Sequence, residues 1–421
     1  ETGFRKRSCA NKKMSDEPDS ARLKQALADG EPAVAAVDRL PDDDMHIVRG
    51  ISDRWRGLRD TLLSSRRFQR WAAAFPLTRP VARRRAAALF DLCAGFVYSQ
   101  VLAACVQLDL FALLQHGPQP AEQLAARFSI PVPAMTALLE AAASLRLLER
   151  RGDRGFGLGP LGAALLGNPG IAAMVAHHAT LYADLADPVA LLSGTADERR
   201  LSRYWPYAAA SCTSGPAAPG LTRAAVSPYT ALMAASQPMV AEMVLGAYSF
   251  ARHRCLLDVG GGDGSFLIAA GRQALRLALQ LFDLPDVAAI AREKFAAASL
   301  GGRASVIGGN FLTDALPRGA DVVSLIRVVH DHGDEAVLNL FERVRNALPE
   351  GGVLVIGEPL AGTPGKDSVA AYFEIYLQAM GRGRPRTFAA MRQLLHSAGF
   401  RDVRLRRTRI PLIASVVVAR S

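Results

Sequence analysis

The chain has 421 residues, 50% hydrophobic, 21% charged and 7% aromatic, with a formal net charge of +11. This mix excludes a disordered or fibrous protein, and the length calls for more than one core, built mainly of Ala, Leu and Val. The five cysteines are scattered and lack a C-x-x-C pair, which excludes a disulfide framework or zinc knuckle as the organising device. With no secretory signal in view, the expected compartment is the cytoplasm.

The first residue is Glu, and Met14 is expected as a natural start. Residues 1–50 are polar, with an acidic run at Asp42, Asp43 and Asp44, and are expected to form a loose tail. Between Arg54 and Arg85 stand ten Arg against one acid, Asp60, interleaved with Trp55, Phe68, Trp71 and Phe75. Such a cluster can face an anionic membrane surface or nucleic acid, or be a solvated helix face. Residues 86–106 are apolar but carry Asp91 and Gln100, so a buried or interfacial helix is expected there, not a span.

From 51 to about 250 the apolar residues recur at three- and four-residue spacing, the period of helices. Within it, a helix ending near Leu114, a second over 121–128, a third through 139–148 and a Gly-containing ribbon over 150–158 follow the order of a winged helix, placed at about 100–165. The third helix is nearly all Ala, Leu, Met and Val, which suits packing against protein and not reading DNA. A winged-helix regulator with a vestigial cofactor domain is the alternative of another class, and its apolar third helix speaks against it.

From 251 to 421 short apolar runs alternate with helical segments, the pattern of an α/β domain with a parallel sheet covered on both faces. Strands are expected at 255–259, 277–282, 304–307, 321–327 and 352–357, then 403–407 and 413–419. The first strand runs into D-V-G-G-G-D-G-S, with Asp258, Gly260 and Gly262. Glycine there admits close approach of a ligand, and the amides at the following helix are expected to point at it. Ser265 breaks the dinucleotide fingerprint. Asp258 adds charge of the wrong sign for a pyrophosphate and of the right sign for a ligand with a cationic end. The second strand ends at Asp283, where an acid can take both ribose hydroxyls. Asn310 and Phe311, after the third strand, are candidates for adenine. The fourth strand runs into His330, Asp331 and His332, and the fifth ends at Glu358, a carboxylate able to orient an imidazole. His332 is read as a pocket-wall residue, and no metal site is expected.

The pattern D-x-G-x-G-x-G resembles the first motif of class I S-adenosylmethionine-dependent methyltransferases, and S-L-I-R-V-V-H-D resembles the His-Asp block of small-molecule O-methyltransferases. Outside these, residues 66–79, 90–102, 177–190 (H-H-A-T-L-Y-A-D-L-A-D-P-V-A) and 203–207 (R-Y-W-P-Y) are similar to the bacterial carotenoid O-methyltransferases of the hydroxyneurosporene or demethylspheroidene type. The resemblance implies a Rossmann-like catalytic domain preceded by an all-α dimerisation domain containing the winged helix, and a homodimer. It implies methylation of the tertiary hydroxyl of a 1-hydroxycarotenoid with His330 as general base, S-adenosylmethionine as cofactor and S-adenosylhomocysteine as product. It adds Arg327 to the cofactor set, and gives a substrate pocket from His178, Tyr182, Trp205, Met233, His332, Phe373, Tyr376 and Met380. Phe96, Tyr98, Tyr229 and Met243 are further candidates for an apolar channel. A lipid-borne substrate implies peripheral contact with the inner or intracytoplasmic membrane. Where the family often carries a second acid to hold the His, this chain has Pro385, which argues against a phenolic, plant-type pocket; the other substrate reading is a phenolic polyketide or tetrapyrrole.

Overall fold

The computed structural model describes residues 42–196, 199–204, 223–300, 302–363, 367–381, 383–411 and 413–421, with side chains described from residue 53 and not for 203–229 or 364–368. The chain divides into two compact units, Glu1–Phe96 and Val97–Ser421.

In the first unit α1 (Asp42–Ser64) and α2 (Arg66–Ala74) are separated at Ser65, whose hydroxyl caps α2 by accepting from the Phe68 amide. Residues 42–50, expected as part of a tail, are instead the first turns of α1. Three acids in a row suit a helix N-terminus, where they meet the positive end of the macrodipole. The following helix, α3 (Arg79–Gln107), is the one among the described residues long and apolar enough to cross a membrane by length and composition. Its Leu89, Phe90, Leu92 and Phe96 are exposed while Ala103 and Cys105 are buried, so burial, one of the two expectations for residues 86–106, holds in the chain by itself only at the end of the helix.

The second unit continues with α4 (Leu110–Leu114), α5 (Ala121–Phe128) and α6 (Val132–Ser144), then an antiparallel ribbon of β1 (Leu148–Arg150) and β2 (Phe156–Leu158). The helix expected to run to 148 stops at Ser144, because Arg146 turns left-handed (φ 60°) and Leu148 enters the ribbon. α6 buries Met135, Leu139 and Ala142 in one core with Leu110, Leu124 and Phe156. The chain then forms α7 (Pro160–Leu166), α8 (Pro169–Asp184), α9 (Pro188–Ser193), α10 (Arg200–Tyr204) and α11 (Arg223–Ala247). Asp184 and Asp187, both inside the stretch similar to the carotenoid enzymes, are caps: Asp184 accepts from the Arg200 and Leu201 amides, Asp187 from those of Val189 and Ala190.

The remaining elements are β3 (Cys255–Val259), α12 (Ser265–Gln273), β4 (Ala278–Asp283), α13 (Pro285–Ala297), β5 (Ala304–Gly308), β6 (Val322–Ile326), α14 (Asp334–Ala347), β7 (Val353–Glu358), α15 (Asp367–Met380), α16 (Phe388–Ser397), β8 (Arg401–Arg406) and β9 (Ser415–Arg420). They build a seven-stranded sheet of order β5-β4-β3-β6-β7-β9-β8, in which β3 to β7 pair in parallel and β9 runs antiparallel to β7 and β8. One face is covered by α11, α12 and α13, through Val244, Phe266 and Phe295 among others; the other by α14 and α16, through Phe341 and Leu395. α11 explains why the units do not divide at 250: Val240, Ala241, Met243 and Val244 are buried against the sheet, which joins the helical layer to it. After β5 the chain crosses to the far side of β3 to form β6, so a crevice opens at the carboxyl ends of β3 and β6.

Candidate active site

The crevice is lined by the loop after β3 (Asp258, Gly260, Gly262), by Asp283 at the end of β4, by Asn310 and Phe311 after β5, and by Arg327, Asp331 and His332 after β6. Thr230 and Met233 of α11 complete its wall. The sequence reading thus brought together residues from four strand ends that do meet.

Four of the loop amides, expected to point at a ligand, are instead engaged within the chain. The Gly260 amide donates to the Phe282 carbonyl, that of Gly262 to Asp283 Oδ2, that of Gly264 to the Gly261 carbonyl, and that of Ser265 to Asp263 Oδ1. Two of these acceptors are carboxylates and two are backbone carbonyls. Gly260 (φ 70°) could not carry a Cβ, which would lie 2.8 Å from Val328, whereas a Cβ on Gly262 (φ 60°) would meet nothing within 4 Å and would project into open space.

The crevice acids are buried and protonate easily. Asp258 accepts from Ser324 Oγ at 2.6 Å through Oδ1, while its Oδ2 is buried without a hydrogen-bond partner. Burial raises its pKa to about 7; the Ser324 bond opposes the rise and the nearby Asp283 adds to it. Asp283 is pushed up to about 6 by burial, against the bonds from the Gly262 and Leu284 amides. An orphaned carboxylate oxygen and a crowded pair of acids fit a ligand that brings positive charge. Asn310, expected at adenine, turns its Oδ1 to the Leu312 amide, so that acceptor is engaged in its own turn. Arg327 sits in left-handed backbone (φ 61°) and reaches α11, donating to Ser236 Oγ at 2.8 Å and to Met233 Sδ at 2.6 Å. It braces the crevice wall. Phe311 stands edge-on to His332 with ring centroids 5.4 Å apart.

One carboxylate holds the His330 ring and a second lies beside it. Its Nδ1 bonds Glu358 Oε2, and its Nε2 lies 3.3 Å from Asp331 Oδ1. Glu358 is buried, and its Oε1 accepts from the Val328 and Val329 amides at 2.9 and 2.7 Å, which fixes the clamp to the turn itself. The other acid near the ring, Asp331, is the next residue in sequence and lies on the side of Nε2, opposite the Nδ1 that Glu358 holds. The segment around Pro385 has another task. Arg384 donates its amide to the His330 carbonyl, and Arg386, 3% exposed, donates to the carbonyls of Val329 and His332 and to Asp334. Gly383 packs so tightly there that a Cβ would lie 2.2 Å from the His330 carbonyl oxygen. Burial works to lower the His330 pKa, but Asp331 and Glu358 outweigh it and raise it to about 9. His332 is pushed the other way, to about 4, by burial and then by the positive charges of His330 and Arg386.

Beyond His330 lies an aromatic cluster between α8 and α15. Phe373 meets His330 edge-on, Tyr372 meets Phe373 and stacks on Tyr376. The Tyr372 hydroxyl bonds His178 at 2.8 Å, the Tyr376 hydroxyl bonds His177 at 3.0 Å, and Tyr182 stands edge-on to His178. Burial lowers both histidine pKa values, His177 to about 4 with a further push from His178, so both imidazoles are neutral near pH 7. His177 was missed in the sequence; its adjacency to His178 was the available signal. Met380 packs with Leu181, Leu191 and Leu201 in the same cluster as Tyr376, and Met243 lies in the sheet core, because their faces of α15 and α11 turn inward. Phe96 lies on the exposed side of α3. Trp205 and the side chain of Tyr229 lie outside the described residues. Among the described residues no group of His, Cys, Asp or Glu is arranged to hold a metal ion.

A switch-point crevice lined with carboxylates, a clamped histidine at its edge and a neutral aromatic compartment beyond define a Rossmann-like transferase working with a nucleoside that carries positive charge, not a pyrophosphate. A family model for the O-methyltransferase domain matches residues 185–401, and one for the O-methyltransferase dimerisation domain matches residues 90–168. The chain belongs to the O-methyltransferase family, and it is an S-adenosylmethionine-dependent O-methyltransferase whose dimerisation domain supports a homodimer. It is 44% identical over 360 residues to demethylspheroidene O-methyltransferase of Cereibacter sphaeroides, covering 85% of this chain and 93% of that protein. It is 31% identical over 352 residues to acetylserotonin O-methyltransferase of Mus musculus, covering 77% and 86%. The crystal structure of LaPhzM matches with a TM-score of 0.65 at 25% identity, over 80% of this chain and 98% of that one.

Proposed function

We propose that this enzyme methylates the tertiary hydroxyl of a 1-hydroxycarotenoid of the demethylspheroidene or hydroxyneurosporene type, with His330 as general base. The observation that carries the reading is a neutral aromatic compartment set directly on the clamped His330, in a chain 44% identical to a demethylspheroidene O-methyltransferase over 85% of its length. Tyr372, Phe373, His178 and Tyr182 offer ring faces and neutral polar atoms, which suit a polyene ending in one hydroxyl. When bound, S-adenosylmethionine supplies the electrophilic methyl group. Asp258 and Asp283 then hold its cationic and ribose ends, Gly260 and Gly262 leave it room, and Phe311 packs on its base, with Asn310 able to add only its amide hydrogens and a second lone pair. Arg327 acts at one remove, by fixing Met233.

The proton transfer follows from the clamp. Glu358 accepts from His330 Nδ1, which leaves Nε2 as the atom to take the hydroxyl proton. With its pKa at about 9, the ring is an imidazolium near pH 7 until something works against that charge. Positive charge arriving in the adjoining crevice does so, and releases the base when the site is loaded. A polyene dissolves in bilayers, so the substrate reaches a cytoplasmic catalytic domain from a lipid phase, and peripheral membrane contact belongs to the same proposal. The test is incubation with labelled S-adenosylmethionine and a panel of hydroxycarotenoids and phenols, read by mass analysis. Label on the tertiary carotenoid hydroxyl is expected; methylated phenols with untouched carotenoids would overturn the assignment.

A further inference from the structure

The helices before residue 90 carry a surface that methyl transfer does not use. In α2, Phe68, Trp71 and Phe75 recur at helical spacing on one side: the Phe68 and Trp71 centroids lie 5.7 Å apart, and Trp71 stacks on Phe75 at 5.2 Å. Trp71 and Phe75 are nonetheless 52% and 40% exposed, and Trp55, Leu58 and Leu62 of α1 are exposed as well. At about 100° per residue, Arg66 and Arg70 fall on the opposite side of α2. Within the described residues Arg56 pairs with Asp53 and Arg59 with Asp60, but no carboxylate stands against Arg66, Arg67, Arg83, Arg84 or Arg85.

Two kinds of cover fit an aromatic ridge, a second copy of the chain or a lipid surface. A second copy brings ten more arginines toward the ten already there, with a single acid per copy over residues 54–85 to offset them. The dimerisation match also begins only at residue 90, beyond both helices. We propose that residues 54–85, the end of α1 with α2 and the first turns of α3, form an interfacial anchor that docks on an anionic bilayer, with the rings at the acyl boundary and the guanidinium groups among the phosphates. The anchor gives a place to the membrane contact of the proposed function, and its test does not depend on which alcohol is methylated.

The experiment is co-sedimentation of the full chain with phosphatidylglycerol vesicles and with phosphatidylcholine vesicles. Binding to the anionic vesicles at low salt, release as salt rises and little binding to the neutral ones are expected. One basic residue near an anionic leaflet is worth about fivefold in partition, so removing three charges in R66A/R67A/R70A should weaken binding by about 100-fold. Replacing the rings in W71S/F75S should weaken it by at least about tenfold. Both variants change exposed groups, and their S-adenosylmethionine affinity by calorimetry should match the parent, which separates failure of the anchor from failure of the catalytic reading. Equal binding of variant and parent, or binding indifferent to lipid charge, overturns the proposal. So does a parent that ignores vesicles while the variants turn monomeric in light scattering, since the ridge is then a contact between copies.

Discussion

Asp258→Asn should make the cofactor-free enzyme more stable while making it worse at holding its cofactor. The folded protein raises the Asp258 pKa from 3.8 to about 7. At about 1.4 kcal/mol per pH unit this is ~4 kcal/mol of folding stability forgone once the group is ionised in both states. The sign follows from proton binding. Between pH 3.8 and about 7 the folded chain keeps a proton that the unfolded chain has released, so stability falls as pH rises through this window and levels off above it. Asn has no proton to lose, and its side-chain oxygen can still accept from Ser324. Urea unfolding at about pH 5 and about pH 8 should show the variant gaining on the parent by roughly 2–3 kcal/mol across the interval. Calorimetry at the higher pH should show weaker S-adenosylmethionine binding, because the orphaned oxygen that meets positive charge is gone. A stability difference that does not change with pH would refute the reasoning, since the cost of ionisation is its whole basis.

His330→Ala should lower kcat by about 10²–10⁴-fold with cofactor affinity retained; near-parental turnover would remove it as the base. Glu358→Gln takes away one of the two carboxylates that raise His330, so the imidazole should titrate at lower pH, read from its ring protons by NMR, and an unmoved titration would contradict the clamp. Arg386→Met should cost about 3 kcal/mol in urea unfolding, because the Val329 and His332 carbonyls each lose a buried donor. A change within the scatter of surface substitutions would show that the turn does not depend on it.

The sheet was legible because its strands are short apolar runs closed by turns: the observed β3 has the expected bounds, and β4 to β7 fall within a residue or two of expectation. The crevice was legible because strand order places its residues at carboxyl ends whatever the helices do. What the sequence did not reveal depends on where side-chain atoms end up. Asp331 was visible as the neighbour of His330, but that its carboxylate lies 3.3 Å from His330 Nε2 depends on how the turn folds. Arg386 reads as one more surface arginine in so basic a chain, and only its burial shows that it staples the turn. The loop glycines announce a ligand site, but spacing does not say that Asp283 and Asp263 already occupy their amides.

The histidine turn is completed by parts of the chain that come late. Glu358 lies on β7, whose outer edge is covered by β9, the last strand, and the carbonyls around His330 are held by Arg384 and Arg386, more than fifty residues downstream. The cofactor loops, by contrast, all precede residue 333. On the ribosome the parts that hold S-adenosylmethionine therefore emerge before those that brace the catalytic histidine, and a chain nicked just after α15, before Arg384, carries its cofactor residues and its catalytic clamp on a fragment without the staples. Proteolysis at that one place should silence the enzyme before it empties it.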